Sequence, residues 1–351
     1  MPKEIQLANK KAGGDNPCLI IAELSANHHQ DLEQAKKLVK TACEVGADVV
    51  KIQTYTPDTM TLDSTTDPFQ VKINKAWKNK TLHQLYKIAQ TPWGWYEELE
   101  KVAREYDVPL IGTPYDLTSV DFLESKNCPF YKVASFEATD IQFLKKVALT
   151  KKPVIISRGM TTFEEISQAI SVLKEFGASE IILLHCVSAY PSVPKDLNIL
   201  AVVELQKKFP DLVVGLSEHS IKIAPAVATI ALGAKVIERH LILKREDGGP
   251  DAAFSLEPKE FSEMVKEIRE VEQALGDGIL EPVPAEIENK QFRRSLWAIK
   301  EIKQGEELTK ENVGSFRPST GLKPADLPKV IGKKAKQDIP FATPLNWDLI
   351  D

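Results

Sequence analysis

The sequence has 351 residues, of which 43% are hydrophobic and 27% charged, so it is long enough for one large core and a small second unit. Its 45 basic residues are interleaved with 50 acidic ones, and the formal charge of -5 argues against a nucleic-acid partner, because phosphate backbones are bound by clustered Lys and Arg. The sequence has no uninterrupted apolar run of the roughly 18 residues that a membrane span needs, and the polar start MPKEIQLANKK is unlike a signal peptide. We therefore expect a cytoplasmic protein without a membrane partner.

Eight short apolar and β-branched runs follow one another along the chain. They predict strands at residues 18–24, 49–53, 109–114, 130–135, 153–157, 181–186, 213–217 and 235–240. Helical patterns lie between most of them; the apolar residues before the second strand are Leu32, Ala35, Leu38, Val39 and Ala42. Strands that alternate with helices form a parallel sheet, and eight such units over about 260 residues predict an α/β fold of the closed (β/α)8 TIM barrel type.

A long insertion separates the second predicted strand from the third. The segment from Tyr55 to Trp95 is too long for a simple βα connection. Its aromatic and basic residues include Phe69, Trp77, Lys78, Tyr86, Trp93 and Trp95. Long loops at a barrel mouth usually serve substrate, but these residues could equally form a small satellite core. The sequence leaves both interpretations open.

The chain changes character after the last barrel helix. That helix is predicted to begin at Glu257-Pro258, and its apolar face comprises Phe261, Met264, Val265, Ile268, Val271 and Leu275. We assign residues 1–276 to the barrel, 277–291 to a linker, and 292–351 to a compact domain of short strands and turns. A weak repeat supports this last domain: Ile302, Gly305, Leu308 and Val313 recur as Ile339, Ala342, Leu345 and Ile350.

Polar residues interrupt the carboxyl ends of the predicted strands, where barrel enzymes place their catalytic groups. They are Glu23, Lys51, Gln53, Thr113, Lys132, Ser135, Ser157, Ser217, His219, Glu238 and His240, with Glu137 just beyond the fourth strand. Residues two apart in a strand share a face, so Glu238 points the same way as His240. A lysine at a strand end can lean into solvent, but two interior lysines need carboxylate partners or an anionic ligand. Beside Thr and Ser donors, Lys51 and Lys132 predict a pocket for phosphate and carboxylate.

Two histidines on adjacent predicted strands suggest a metal site. Taken singly, His219 or His240 is more often a hydrogen-bonded core residue, and it is their pairing that favours a ligand role. With Glu23 and Asp251 nearby in the mouth, they predict a mixed nitrogen and oxygen site suited to manganese or a similar divalent ion.

The sequence contains, in order, the motifs IAELSANHHQD, VVKIQTYTPDTM, GTPYDLTSVDFLE, YKVASFEATD, PVIISRGM, LLHCVSAYP, GLSEHS and VIERHLILKREDGGPDAAFSLEP. Together they resemble the sialic acid synthase family of barrel enzymes. From Arg293 onward, RRSLWAIKEIKQGEELTKENVGSFRP and IGKKAKQDIP resemble that family's C-terminal antifreeze-like (SAF, β-clip) domain. Within the family, QTYTPDTMTLDS and TLHQLYKIAQTPWGW look most like the pseudaminic acid synthases, with N-acetylneuraminate and legionaminate synthases as alternatives.

The resemblance implies an enzyme that condenses phosphoenolpyruvate with an amino-sugar aldehyde, with Mn2+, or else Mg2+ or Co2+, as cofactor. The residues implied to bind phosphoenolpyruvate are Lys51, Thr113, Lys132, Ser135, Ser157, Ser188 and Ser217. His219 and His240 would hold the metal, and Glu23 would act beside it as acid/base. The residues implied to contact the sugar are Gln53, Glu137, Tyr190 and Asp251. The family's small domain caps the barrel of the dimer partner, so Phe292 and Arg317 would complete the neighbouring site in a domain-swapped homodimer.

Three positions depart from the family pattern. Arg158 replaces a Thr, Glu218 replaces an Asp, and Ala252 stands where sialic acid synthases often have His. Arg158 and Ala252 leave the identity of the sugar open. Other interpretations remain: a metal-dependent aldolase or lyase that uses pyruvate, a Schiff-base aldolase on Lys132, and a sugar-binding protein without chemistry.

Overall fold

The chain begins with a hairpin, which the polar start of the sequence does not predict. In the computed structural model, which describes residues 3–72 and 80–351, strand β1 (Glu4–Leu7) pairs with antiparallel β2 (Lys10–Gly13). The apolar side chains buried in the barrel core are Ile5, Leu7 and Ala12. The amide of Asn9 donates to the carbonyl of Asp107, which precedes a barrel strand. The hairpin therefore covers the amino-terminal end of the barrel, opposite the predicted active site.

All eight predicted barrel strands are present in one parallel sheet. They are β3 (Leu19–Glu23), β4 (Val49–Thr54), β5 (Leu110–Pro114), β6 (Tyr131–Val133), β7 (Val154–Arg158), β8 (Ile181–Cys186), β9 (Val213–Glu218) and β10 (Val236–His240). The order β5-β4-β3-β10-β9-β8-β7-β6 returns the last strand to the first, with His240 beside Glu23. Within the described ranges, no ladder joins β5 to the three-residue β6, so the barrel is nearly closed. The predicted (β/α)8 fold is confirmed.

Helices surround the sheet. They are α1 (Leu32–Glu44), α2 (Pro57–Met60), α3 (Leu82–Ala89), α4 (Tyr96–Arg104), α5 (Leu117–Ser125), α6 (Ile141–Leu149), α7 (Phe163–Glu175), α8 (Ala201–Lys208), α9 (Ala224–Ala231) and α10 (Pro258–Ala274). Side-chain oxygens of Asp31, Asp116, Asp140 and Thr162 accept backbone N–H groups in the first turns of α1, α5, α6 and α7. In the part of the chain that the structure describes, no helix combines the length and apolarity of a membrane span.

The last barrel helix follows the prediction at its start and departs from it at its end. Glu257 is the N-cap and Pro258 the first helical residue of α10, and Phe261, Met264 and Ile268 are buried. The predicted place of Leu275 on the buried face is wrong, because the helix ends at Ala274 and Leu275 is 50% exposed. Gly276 follows with a φ of 61°, which turns the chain away from the helix axis.

The insertion between β4 and β5 contains α2, α3 and short turns at Asp67–Phe69 and Trp93–Trp95. The predicted aromatic and basic positions Trp77 and Lys78 lie outside the described residues. Trp93 stacks on Phe122 of α5 with ring centroids 4.5 Å apart, so part of the insertion does pack as a small apolar cluster. The other part faces the cavity described below.

The second compact unit, Asp277–Asp351, has its own core. It contains α11 (Pro284–Ile287), α12 (Leu327–Val330) and the antiparallel strands β11 (Ser295–Ala298) and β12 (Val313–Phe316). The predicted internal repeat is visible, because Ile302 pairs with Ile339, and Gly305 and Ala342 both have positive φ angles, of 78° and 61°. Its core residues are Leu296, Ala298, Ile302, Leu308, Val313, Val330, Ala335, Ile339, Leu345 and Ile350.

Candidate active site

A cavity of about 900 Å³ opens at the carboxyl ends of the barrel strands. The predicted site residues that line it are Glu23, Lys51, Gln53, Lys132, Ser135, Glu137, Ser157, Ser188, Tyr190, Ser217, His219, His240 and Asp251. Thr113 is fully buried at the end of β5 and is not part of the lining. Phe292 and Arg317 belong to the second unit. The structure therefore brings nearly all predicted barrel residues to one place.

Two lysines and two glutamates form the charged floor of the cavity. Lys51 Nζ lies 2.5 Å from Glu23 Oε2 and 3.2 Å from Glu238 Oε1. Lys132 Nζ lies 3.9 Å from the same oxygen of Glu238 and donates to the carbonyl of Val133 at 3.1 Å. Each of the four charged side chains is at most 5% exposed, so each charge depends on its partners.

Burial and pairing shift the pKa values of these groups in different directions. Burial alone would lower the pKa of Lys51, but Glu23 and Glu238 outweigh it and raise that pKa. Burial lowers the pKa of Lys132, and Glu238 offsets this only in part. The pKa of Glu238 is lowered because Lys132 and Lys51 together outweigh burial, whereas burial raises the pKa of Glu23 against the opposing effect of Lys51. Of the two lysines, Lys132 is thus the one with the weaker counter-charge.

Glu238 is a central residue of the site to which the sequence pattern assigns no role. Besides the two lysines, its Oε1 accepts a hydrogen bond from Ser217 at 3.2 Å. The available signal is its position two residues before His240 on the same strand face.

Hydroxyl groups surround the charged floor. The Oγ atoms of Ser135 and Ser188 lie 2.7 Å apart. The hydroxyls of Ser157 and Thr113 are buried and have no hydrogen-bond partner within the described chain. Buried hydroxyls of this kind are uncommon, and those that line a cavity are ready donors for an anionic ligand.

The two predicted metal ligands are neighbours at the rim of β9 and β10. The rings of His219 and His240 meet edge to face with centroids 5.2 Å apart, and Phe254 packs against both. His219 Nδ1 lies 3.2 Å from the carbonyl of Val187, so Nδ1 carries the proton and Nε2 keeps its lone pair. Burial lowers the pKa of His219 to about 4 and holds the pKa of His240 well below its usual value. Both imidazoles are therefore neutral, which is the form that binds metals.

The carboxylates expected near these histidines are engaged elsewhere. Glu23 pairs with Lys51, and Asp251 accepts hydrogen bonds from the hydroxyl of Ser25 and from the backbone of Ala26. Over residues 3–72 and 80–351, no cluster of three or more His, Cys, Asp or Glu side chains has the arrangement of a metal site. Of the residues predicted for this site, His219 and His240 thus lie side by side without an ion pair of their own among the described residues.

Polar residues also lie on the other side of the cavity, and one of them, Ser25, was not singled out by the sequence pattern. Gln53 Nε2 donates to Ser25 Oγ at 3.0 Å, and Ser25 in turn contacts Asp251. Burial raises the pKa of Glu137 to about 7, and its Oε2 has no hydrogen-bond partner among the described residues. The ring centroids of Tyr190 and His219 lie 4.4 Å apart.

The insertion contributes both apolar and polar residues to the wall of the cavity. Its apolar lining residues are Met60, Val71, Leu82, Leu85, Tyr86 and Ala89, and its polar ones include Thr59, Asp67, Gln70 and Lys72. Tyr86 packs edge to face on Tyr55, which also lines the cavity. Part of the insertion therefore lines the cavity, as the substrate-binding interpretation predicts. Another part forms a small apolar cluster, as the satellite-core interpretation predicts.

The three departures from the family pattern have different surroundings. Arg158 donates from Nη2 to the carbonyl of Thr161 at 3.3 Å. Glu218 is paired at 2.8 Å with Arg239, and neither side chain is exposed, so this position is structural. Ala252 is buried beside Asp251 in a short turn.

Comparison with known proteins agrees with this geometry. The model of the NeuB family matches residues 38–280, and that of the SAF domain matches residues 293–351. The chain is 42% identical to a pseudaminic acid synthase of Campylobacter jejuni, over 94% of this chain and 96% of the relative. It is also 42% identical to one from Helicobacter pylori, over 95% and 98%. The fold is similar to the crystal structure of the N-acetylneuraminic acid synthetase from Leptospira borgpetersenii in complex with citrate, with a TM-score of 0.73. The two sequences are 32% identical, and the match covers 82% of this chain and 95% of the other.

Proposed function

Because the chain belongs to the NeuB family, we propose that it is a phosphoenolpyruvate-dependent nonulosonate synthase, and specifically a pseudaminic acid synthase. It condenses phosphoenolpyruvate with 2,4-diacetamido-2,4,6-trideoxy-L-altrose and water, and it releases pseudaminate and phosphate. The observation that carries this proposal is the convergence of Lys51 and Lys132 on Glu238 beside two neutral histidines. The relatives at 42% identity support pseudaminate as the product.

The charged floor suits phosphoenolpyruvate, which carries a phosphate and a carboxylate. Lys51 and Lys132 supply positive charge. The hydroxyl donors around them are Ser135, Ser157, Ser188 and Ser217. Thr113, which pairs with Gln53 in the sheet, remains a predicted member of this pocket. Charge-assisted hydrogen bonds from buried donors are about twice as strong as neutral ones, so this floor holds the anion firmly.

The reaction joins C3 of phosphoenolpyruvate to the aldehyde carbon of the open-chain sugar; the aldehyde oxygen takes up a proton to become a hydroxyl, and C2 of phosphoenolpyruvate is left with a positive charge. Water then adds at C2, and Glu23, whose pKa is raised by burial, accepts a proton from that water. The tetrahedral intermediate expels phosphate by cleavage of the C–O bond. Lys51 and Lys132 stay on the phosphate oxygens throughout and need no reorganisation during the reaction.

The histidine pair fits a divalent metal ion. His240 Nδ1 is a buried nitrogen without a hydrogen-bond partner in the described chain, and the proton on His219 Nδ1 leaves Nε2 available. We propose Mn2+, with Mg2+ and Co2+ as alternatives, because imidazole and oxygen ligands suit such ions. When bound, the ion polarises the aldehyde carbonyl of the sugar.

The apolar part of the cavity wall suits a deoxygenated, acylated sugar. Leu82, Leu85 and Ala89 offer apolar contacts to acetamido methyl groups and to the C6 methyl group. The polar sugar contacts that we propose are Gln53, Glu137, Tyr190 and Asp251.

We also propose a domain-swapped homodimer. The segments that follow the barrel strands expose a rim of large apolar side chains, each more than 40% accessible, two of which (Phe136 and Met160) line the cavity: Leu117, Phe136, Met160, Phe163, Val193, Leu200 and Ile221. Such a rim is typical of a surface that binds a protein partner. Phe292 and Arg317 of the partner subunit would complete the sugar site. Phe292 is 54% exposed, as this role requires.

We place the reaction in the cytoplasm, where phosphoenolpyruvate is produced.

Phosphate release tests the proposal. Purified protein is incubated with phosphoenolpyruvate and either the diacetamido-trideoxy sugar or N-acetylmannosamine, with and without a chelator. We expect phosphate release that requires the diacetamido sugar and stops with the chelator. Release with N-acetylmannosamine alone would identify an N-acetylneuraminate synthase, the alternative that the Leptospira structure favours. Turnover of pyruvate would indicate an aldolase, and calorimetric binding without product would indicate a sugar-binding protein.

A further inference from the structure

Ser25 has a strained backbone at the edge of the cavity. Its φ of 49° lies in the left-handed region, which residues other than glycine rarely adopt. The residue is fully buried and lines the cavity, and its backbone N–H donates to Glu23 Oε1 at 2.7 Å. A strained residue persists where its surroundings hold it, and such residues cluster at functional sites.

The hydroxyl of Ser25 links two residues assigned to the sugar. The carboxylate of Asp251 only accepts, so the Ser25 hydroxyl donates its proton to Asp251 Oδ2. Ser25 Oγ is then an acceptor, and it takes the hydrogen bond that Gln53 Nε2 donates at 3.0 Å. These two hydrogen bonds, from Gln53 to Ser25 and from Ser25 to Asp251, form what we call the Ser25 relay. The relay commits the NH2 group of the Gln53 amide to the protein.

The direction of the hydrogen bonds in the relay determines which atoms Gln53 and Asp251 present to a ligand. With Nε2 held by Ser25, Gln53 turns its carbonyl oxygen away from the relay. Asp251 keeps its second carboxylate oxygen, since Ser25 and Ala26 both donate to Oδ2. Both groups presented are acceptors, so the matching part of the sugar is a donor, either a hydroxyl or an amide N–H.

We propose that Ser25 is a positioning residue for the sugar, which orients Gln53 and Asp251 without contacting phosphoenolpyruvate. The proposal rests on the function given above, in which these two residues bind the sugar. Lys51 and Lys132 do not share hydrogen bonds with the Ser25 side chain in the described structure, so the two substrates should respond separately.

The variants that isolate the hydroxyl are Ser25→Gly and Ser25→Ala. Glycine adopts a φ near 49° without penalty, so Ser25→Gly keeps the backbone N–H on Glu23 while it removes the relay. The control is His29→Gly, in the same loop with a φ of 51°, because that side chain is exposed and lies outside the cavity lining. It reproduces the change in backbone freedom without the change in the site.

We expect Ser25→Gly and Ser25→Ala to raise the KM for the sugar by about tenfold or more, with the KM for phosphoenolpyruvate within about twofold of the parent. His29→Gly should change neither. An unchanged sugar KM, or an equal rise for both substrates, would overturn the proposal. A crystal structure of Ser25→Gly gives a readout that does not depend on turnover. We expect the side chain of Gln53 or of Asp251 to change orientation in it. Unchanged positions of both side chains would also overturn the proposal. Absence of turnover in the parent protein would instead reject the proposed function.

Discussion

At the scale of single residues, Glu238 keeps the positive charges of the site in place. One oxygen of this carboxylate serves Lys51, Lys132 and the hydroxyl of Ser217. Without Glu238, Lys132 would lose its ion pair at a cost of several kcal/mol, because burial penalises an unpaired charge, whereas Lys51 would keep its pair with Glu23. The lysines are therefore ready for an anion before substrate arrives, and Lys132, the more weakly paired of the two, has most to gain from it.

We predict that Lys132→Met weakens the binding of phosphoenolpyruvate without lowering the stability of the fold. Methionine is similar in length and removes a cation whose pKa is lowered by burial, while Lys51 still pairs with Glu238. The Kd for phosphoenolpyruvate should rise about 10- to 100-fold, since a charge-assisted hydrogen bond is lost. The thermal unfolding temperature should stay the same or rise. Calorimetric titration and thermal denaturation measure both.

The control for this prediction is Lys152→Met, because Lys152 pairs with Glu124 and is not part of the cavity lining. An unchanged affinity of Lys132→Met for phosphoenolpyruvate would show that this lysine does not bind the anion.

Glu137 gives a pH dependence of stability. Burial raises its pKa from 4.5 to about 7 in the folded chain, with Lys132 opposing and Asp140 reinforcing this effect. Between these values the unfolded chain releases the proton and the folded chain retains it, so the stabilising contribution is complete below pH 4.5 and is lost as pH rises to 7. Glu137→Gln should therefore be more stable than the parent above pH 7, by roughly 3 kcal/mol, and should lose this advantage near pH 4.5.

Urea unfolding at pH 4.5, 6 and 8 measures this difference. Glu263→Gln, at an exposed position of α10, serves as control. A difference between Glu137→Gln and the parent that does not vary with pH would contradict the assignment.

At the scale of elements, the strands were predictable because each is a buried, β-branched run between helical patterns. The hairpin of β1 and β2 was missed, since its strands have only four residues each and only β1 alternates exposed with buried positions. The individual site residues were also predictable from their places at strand ends. Their connections were not: that Lys51 and Lys132 share one oxygen of Glu238 depends on strand register, and the Ser25 relay depends on a contact between residues 226 positions apart.

The apolar face of α3 should determine which sugar is used. Leu82→Gln places a polar group in the apolar part of the cavity wall, and we expect kcat/KM for the diacetamido-trideoxy sugar to fall about 5- to 10-fold. The value for N-acetylmannosamine should fall less, because that sugar has fewer apolar groups to place there. Ile88→Gln, on the same helix but 42% exposed and outside the lining, should leave both values unchanged. Equal losses for both sugars after Leu82→Gln would argue against this role.

At the scale of the whole molecule, the barrel and the second unit each have a separate core. In the domain-swapped dimer that we propose, the exposed apolar residues after the barrel strands and Phe292 would be buried. We predict that Arg317→Ala abolishes most turnover although the residue lies outside the barrel. Its effect should appear in the KM for the sugar before that for phosphoenolpyruvate.

Mixed dimers separate the two possible routes of action. Arg317→Ala combined with His219→Ala restores one intact site per mixed dimer if Arg317 acts across subunits, so an equal mixture should recover about a quarter of parent activity. No recovery in a mixture whose subunits have exchanged would show that Arg317 acts within its own subunit, if at all.

The central claim is that the floor of the barrel holds phosphoenolpyruvate while its C–O bond breaks in a reaction that requires an amino sugar. Phosphoenolpyruvate labelled with 18O at the bridging oxygen tests it directly, with the phosphate analysed by mass spectrometry. We predict that phosphate appears only with the diacetamido-trideoxy sugar and that every phosphate released carries the label. Label retained in the sugar acid, or phosphate release that does not depend on the sugar, would contradict the account.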